Sequence, residues 1–493
     1  MSGARHALDV PAGSGAQRSV PRRGPSASAS PSRTGRSGRT SAAPDLREER
    51  LARARRAQFA ILLLLTFVLT SGGRLADLLL AGRAASDGYS TGAVVSTAIG
   101  TRISELAPVP FLLAVGVIFF ANLGRPRANL GGLVGAAVYL GTAQVTNTLV
   151  AGAPDPTPRY WVLLALVVAL WSIAPEWDDL RTIGTVVVLI GVASLVTAVT
   201  GLGWMRSDAL LSGESKAIVG TQLLAGIFPQ MNVLGMTMTL GLPFVLLLRT
   251  RVLRWSGLAV VAVCLVLSAS RTSLIAAGMI VVVAVILRLM RTPPSRRVAA
   301  VAAVVLIAAV VVVLPMTIDD RDALTSRGAI WMSSMSVIPD HFVIGLSTDA
   351  FTREGLLPPL IGHTPWHGHN LFVSTMVWGG IVLVLALVVF LTSVLVRAMR
   401  SFERSRTSYL FVLALISCSL AEMPLRIDDF DGVSWLTWIA VLGILMVPVP
   451  GGMEQTASRR ERLIATRRSI PVGPQTVLPG SRPARGAPGR RQR

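Results

Sequence analysis

Val298-Ala-Ala-Val-Ala-Ala-Val-Val-Leu-Ile-Ala-Ala-Val-Val-Val-Val-Leu-Pro315 decides the fold. No charged residue interrupts it, and with Met316 it nears the roughly 20 residues a helix needs to cross a hydrocarbon layer about 30 Å thick. Runs of the same kind recur along the 493 residues, of which 52% are hydrophobic and only 15% charged, at a mean hydropathy of +0.60. A soluble chain of this length would carry about a quarter charged residues. A soluble enzyme is therefore excluded. So is a secreted disulfide scaffold, because Cys264 and Cys418 both lie inside apolar runs. The chain reads as an all-α polytopic membrane protein.

Twelve spans can be laid out, at about 57–73, 105–121, 130–150, 158–174, 182–202, 229–248, 255–270, 272–289, 298–316, 370–396, 408–424 and 432–449. Arginine in the short connections sets their orientation. Arg125 and Arg127 follow the second span, and Arg249, Arg251 and Arg254 follow the sixth. Arg288, Arg291, Arg296 and Arg297 follow the eighth, and Arg397, Arg400, Arg404 and Arg406 follow the tenth. Every cluster comes after an even-numbered span, so both termini are expected in the cytoplasm.

The net charge of +21 is concentrated at the ends. Residues 1–56 carry +8 and residues 450–493 another +8, in segments rich in Ser, Pro, Gly and Arg with too little apolar surface to fold. These read as disordered cytoplasmic tails drawn to anionic headgroups, flanking a membrane domain at 57–449. Neither tail holds an aromatic residue, so nucleic-acid binding is not expected. No apolar segment precedes the first span, and no cleavable signal peptide is expected.

This topology leaves one large extracytoplasmic segment, 317–369, between the ninth and tenth spans. It holds His341, His363, His367 and His369, four of the five histidines in the chain. Smaller outer segments fall at 74–104, 203–228 and 425–431. Arg271, in Ser268-Ala-Ser-Arg-Thr-Ser273, opens the eighth span on this outer side, where arginine is disfavoured. A helix start presents free N–H groups and partial positive charge, so an arginine there makes an anion site, unless Ser270 merely caps the helix and Arg271 reaches to headgroups. Arg327 is four residues before Trp331, a spacing at which the indole can stack on the guanidinium. Guanidinium suits phosphate because its donors match two oxygens at once.

His363-Thr-Pro-Trp-His-Gly-His-Asn370 precedes the tenth span. Histidine can take a proton from a hydroxyl near neutral pH, and Asn370 can orient a ring or hold a sugar hydroxyl. A metal is the rival, since three histidines fall within seven residues, but Pro365 and Gly368 break any helix that would align them. Gln230 and Asn232 open the sixth span as sugar contacts or helix-to-helix bonds. Glu422, Arg426, Asp428 and Asp429 read first as structural pairs around the last outer turn, with Glu422 able to orient a catalytic group. No phosphate-binding glycine loop appears, so ATP or NAD chemistry has no support, and no cofactor is expected.

In order, Phe228-Pro-Gln-Met-Asn232, Ser270-Arg-Thr-Ser273, Arg327 to Trp331, and His367-Gly-His-Asn-Leu-Phe372 followed by Gly379-Gly380 resemble the O-antigen ligase and polymerase family. The resemblance covers roughly 220–400. It implies a membrane glycosyltransferase of the GT-C type on the outer face of the plasma membrane. Such an enzyme moves a glycan from undecaprenyl diphosphate to a sugar hydroxyl on a glycan or glycolipid, with inversion and without metal. Carried over, Arg271 and Arg327 hold the donor diphosphate and His369 acts on the acceptor hydroxyl, with Asn232, His367, Asn370 and Glu422 as possible substrate or supporting contacts. One departure stands out. The family's His-Pro and Gly-x-Gly are here His341-Phe342 and Gly345-Leu-Ser347. The alternative from another class is a twelve-span transporter or flippase of lipid-linked sugars, which should instead gather its ionisable residues near mid-membrane.

Overall fold

The computed structural model describes residues 46–83, 94–124, 130–154, 158–206, 217–362, 364–365, 367–430 and 432–447. The chain divides into two compact units, Met1–Glu49 and Arg50–Arg493. Of the first, only the opening turn of a helix is described. The second is a bundle of apolar helices. In order come α1 (Leu46–Phe67), a π-helical turn (Val68–Gly72), α2 (Gly73–Ala81), α3 (Ala98–Leu106), α4 (Pro108–Ala121), α5 (Leu130–Ala151), α6 (Pro158–Ile173) and α7 (Trp177–Val199). A two-stranded antiparallel sheet, β1 (Trp204–Arg206) and β2 (Gln222–Leu224), and an isolated bridge between Arg83 and Val94 supply the extended pairing among the described residues. Then follow α8 (Met231–Val245), α9 (Arg251–Ser268), α10 (Arg271–Leu289), α11 (Pro293–Thr317), α12 (Ala323–Val337), α13 (Pro358–Ile361), α14 (Leu371–Arg400), α15 (Thr407–Cys418) and α16 (Ser434–Met446).

Among the described residues, eight helical stretches are long and apolar enough to cross a membrane, where the sequence leads to twelve. The other four expected spans contain the shorter apolar stretches Tyr160–Ile173, Met231–Val245, Thr407–Cys418 and Ser434–Met446. Every residue of α15 and of α16 is buried. Surrounded by protein, such helices need not carry an apolar length matched to lipid. The run expected at 408–424 ends as helix at Cys418, and Ser419–Pro424 leave it as turns.

The N-terminal boundary also moves. Residues 46–56, expected as tail, are helical, and Arg55 is a structural residue. Its guanidinium meets Glu176 at 2.6 Å and Asp179 at 2.7 Å, the two residues that form the capping box of α7. Asp179 is fully buried, and Arg55→Ala would leave its charge only the longer contact to Arg56 at 3.6 Å. Thermal unfolding in detergent should show a loss of about 3 kcal/mol. The rest of the expected tails, 1–45 and 448–493, lies outside the described residues.

One long-range feature shapes the candidate site. Helix α14 breaks at Gly379 (φ −145°, ψ 16°) and Gly380 (φ 61°, ψ −161°). The segment Phe342–Ser347 fills the gap. Leu346 and Ser347 N–H donate to the carbonyls of Val377 and Trp378 at 2.7 and 3.3 Å, and Ile381 and Val382 N–H donate to those of Phe342 and Val343 at 2.8 and 3.3 Å. Backbone groups freed by the break are thus repaired by protein, as a membrane helix requires. Ser347 holds φ at 99° and donates its hydroxyl to Asp349. Thr348, next in line, donates its N–H and hydroxyl to Asn147 of α5, each at 3.1 Å.

Candidate active site

Three side chains, Arg327, Glu422 and His369, meet between α12 and the turns that precede α14 and follow α15. Arg327 stands early in α12, just after Leu324 and Thr325, which hold φ at 53° and 66°. Its guanidinium is paired with Glu422, four residues beyond the end of α15. The pair is nearly enclosed, with side-chain exposures of 16% and 4%. The other carboxylate oxygen of Glu422 faces His369 Nδ1 at 3.5 Å, and that buried nitrogen has no hydrogen bond of ordinary geometry. One carboxylate therefore faces both a guanidinium and an imidazole.

The histidine turn is held from several sides. Trp331 Nε1 donates to the Gly368 carbonyl at 2.8 Å, and Gly368 N–H donates to Ser374 Oγ at 3.1 Å. The indole, expected to stack on Arg327, thus anchors the turn, and Glu422 is what holds the arginine. His369 adopts φ 48°, a left-handed conformation that orients its ring. Its backbone N–H donates to His367 Nδ1 at 3.0 Å, and the two rings lie 4.3 Å apart between centroids.

Burial, followed by the like charges of His369, Arg426 and Arg327, holds His367 well below the ordinary imidazole range. Accepting a bond at Nδ1 suits that neutral ring. The unfolded chain takes up this proton once pH falls below about 6.5, while the folded protein resists it. Stability should therefore fall below about pH 6.5. His367→Gln should flatten that dependence in thermal unfolding at pH 7.5 and 5.5, and an unchanged slope would remove His367 as its source.

Asn370 is fully used by the fold. Its Oδ1 caps α14 by accepting from Val373 N–H at 3.0 Å, and its Nδ2 donates to Val311 and Leu420 carbonyls, each at 3.0 Å. It is a brace between α11, α14 and the turn after α15, next in the chain to His369. Arg426 pairs with Asp428 at 2.7 Å and Asp429 at 3.6 Å, and its electrostatic reach extends to His367.

Arg271 and Asn232 belong to a neighbouring part of the bundle. Arg271 is the first residue of α10 and is exposed, and among the described residues no hydrogen bond or ion pair engages it. Ser270 sits at the N-cap position without capping, its hydroxyl bonded to that of Ser273 at 2.8 Å. Helices α8 and α10 approach closely here, since a Cβ on Gly235 would lie 2.7 Å from Ser270 Cβ. Asn232, in the first turn of α8, is half-buried and has no hydrogen-bond partner among the described residues. Among the described residues, no hydrogen bond or ion pair joins Arg271 or Asn232 to the Arg327–Glu422–His369 cluster.

His363, the third histidine of the metal alternative, lies outside the described residues, as does Trp366. Among the described residues, no three His, Cys, Asp or Glu side chains form a metal-binding group.

One residue escaped the sequence reading. Arg83, just beyond α2, donates from Nε to the Leu202 carbonyl at 3.0 Å and from Nη1 to Pro229 at 3.1 Å. Its Nη2 donates to Gly226 at 3.0 Å and Phe228 at 2.6 Å. The signal was present: it is an arginine in a segment the topology puts outside, the same oddity that drew attention to Arg271.

No curated protein matches the chain. Residues 256–388 match a family model described as O-Antigen ligase, an interval that includes Arg271, Arg327, His367, His369 and Asn370 but not Asn232 or Glu422. The chain is a multi-pass membrane protein whose residues 256–388, about a quarter of its length, are similar to the O-antigen ligase family.

Proposed function

We propose that the protein transfers a glycan from an undecaprenyl-diphosphate donor to a sugar hydroxyl of a glycan or glycolipid acceptor, at the outer face of the plasma membrane. The observation that carries this reading is the shared carboxylate. Glu422 fixes a phosphate-binding type of side chain, Arg327, and a proton-accepting type, His369, in one nearly enclosed cluster. The family match supports a ligase or polymerase role in polysaccharide biosynthesis.

In this reading His369 takes the acceptor hydroxyl proton as the oxygen attacks the anomeric carbon. The bond from that carbon to the diphosphate oxygen breaks on the opposite face, so the centre inverts. Undecaprenyl diphosphate leaves with the bonding pair. Charge gathers on the leaving diphosphate, where Arg327 and Arg271 stabilise it in a partly dehydrated setting. Glu422 stabilises the protonated imidazole and orients the ring, while His367 and the Trp331 anchor set the turn. Arginine supplies the charge a metal would otherwise bring, so transfer proceeds without one.

In a twelve-span reading with cytoplasmic termini and an outer segment at 317–369, these groups fall on the outer side of the membrane. Clustering of the ionisable groups in turns and helix starts favours an enzyme over a transporter of lipid-linked sugars. A glycan profile of a deletion strain tests the reading. Single repeat units in place of long chains indicate a polymerase, and long chains stranded on the carrier indicate a ligase. If donor fails to reach the outer leaflet, the protein is a transporter. Activity that dies in EDTA and returns with Zn²⁺ would overturn the metal-free mechanism.

A further inference from the structure

Arg83 lies far in sequence from every residue of the proposed site, yet its guanidinium reaches Gly226, Phe228 and Pro229, the turn that leads into α8. Its fourth contact, Leu202, precedes β1. The sheet and the turn are one unit, since Ala225 and Gly226 N–H both donate to the Gly203 carbonyl, at 2.9 and 3.0 Å. This unit packs on the end of α9 and the turn that leads into α10. Met205, Leu223 and Ala225 form a small buried cluster with Ala269, and Met231 packs against it. Ala269 is held at φ 47°, two residues before Arg271, and Met231 is the residue before Asn232.

We propose that Arg83 is a positioning residue for the donor diphosphate: it fixes the turn on which both Arg271 and Asn232 depend. Arg83 thus acts through Arg271 and does not touch the donor. The inference rests on the donor site proposed above. A planar guanidinium can serve four carbonyls in a fixed fan, which an ammonium on a flexible stem cannot reproduce. Arg83→Lys therefore keeps the charge and loses the geometry. Burial lowers the pKa of Arg83 to about 10, so it is charged at neutral pH.

The test uses the full chain, purified in detergent and titrated with undecaprenyl diphosphate and, separately, with undecaprenol, which has the same tail and no phosphate. Arg83→Lys and Arg271→Ala should each weaken undecaprenyl diphosphate binding about tenfold while leaving undecaprenol binding unchanged. The double variant should lie within about twofold of Arg271→Ala, because residues that act through one another are not additive. Arg83→Gln, which keeps donors but no charge, provides a second variant.

Wild-type affinity in Arg83→Lys, or losses that multiply in the double variant, would overturn the inference and leave the donor site standing. Equal losses toward undecaprenol would mark a general disturbance of the fold and overturn it too. So would Lys and Gln variants that both fail to give a monodisperse protein, since Arg83 would then be a folding residue. If Arg271→Ala itself binds undecaprenyl diphosphate like the wild type, the donor site fails and the inference falls with it.

Discussion

Replacing His369 with asparagine should lower glycosyl transfer by about 10²- to 10⁴-fold, the range expected when a positioned base is removed. Asparagine tolerates the φ of 48° that this position demands. The bonds that hold the turn do not use the His369 ring: Trp331 and Ser374 grip the Gly368 backbone, and Asn370 braces the next residue. Thermal unfolding should therefore stay near wild type while turnover collapses. Undecaprenyl diphosphate binding should be retained, because the arginines are untouched. A variant with transfer within about threefold of wild type would remove His369 from the chemistry, since a base accounts for at least about a hundredfold.

The second large effect concerns the broken helix. Gly380→Ala should cost more than about 4 kcal/mol of stability, which places it among the exceptional substitutions. Two causes combine. Gly380 holds φ 61° with ψ −161°, a region open essentially to glycine alone. A Cβ there would also lie 2.4 Å from the carbonyl carbon of Val343 and 2.6 Å from Ile344 N, backbone atoms fixed by the four bonds across the gap. Neither can yield without opening the repair. Gly278→Ala in α10 serves as the control, since its Cβ would meet nothing within 4 Å and alanine is the better helix former. Loss of monodisperse protein for Gly380→Ala but not Gly278→Ala is the expected result. Equal melting temperatures would contradict the inserted segment.

Much of this was legible in the sequence because lipid imposes a one-dimensional rule. Each apolar run must satisfy its own backbone, so the run at 298–316 announces α11 with no knowledge of its neighbours. Arg271 was visible as an arginine out of place, and the His367-Gly-His369 turn as a cluster of proton acceptors beside a span. Other features depend on partners distant in sequence. Glu422 read as a structural carboxylate, because nothing local shows that Arg327, 95 residues away, closes on it. Asn370 read as orienting a ring or holding a sugar hydroxyl, and the sequence did not show that three backbone groups from separate elements bond its side chain. Gly379-Gly380 marked a break without showing that residues 342–347 fill it. The short α15 was hidden as well, since Leu420, Ala421 and Met423 keep 408–424 largely apolar beyond Cys418, where the helix ends.

The most direct measurement reconstitutes the purified full chain in vesicles with an undecaprenyl-diphosphate-linked glycan and a sugar acceptor, and follows free undecaprenyl diphosphate alongside the glycosylated product. The account predicts that both appear together, in equal amounts and only when acceptor is present, and that Arg327→Ala abolishes both. Lipid-linked glycan that crosses the bilayer intact, with no carrier released, would contradict it.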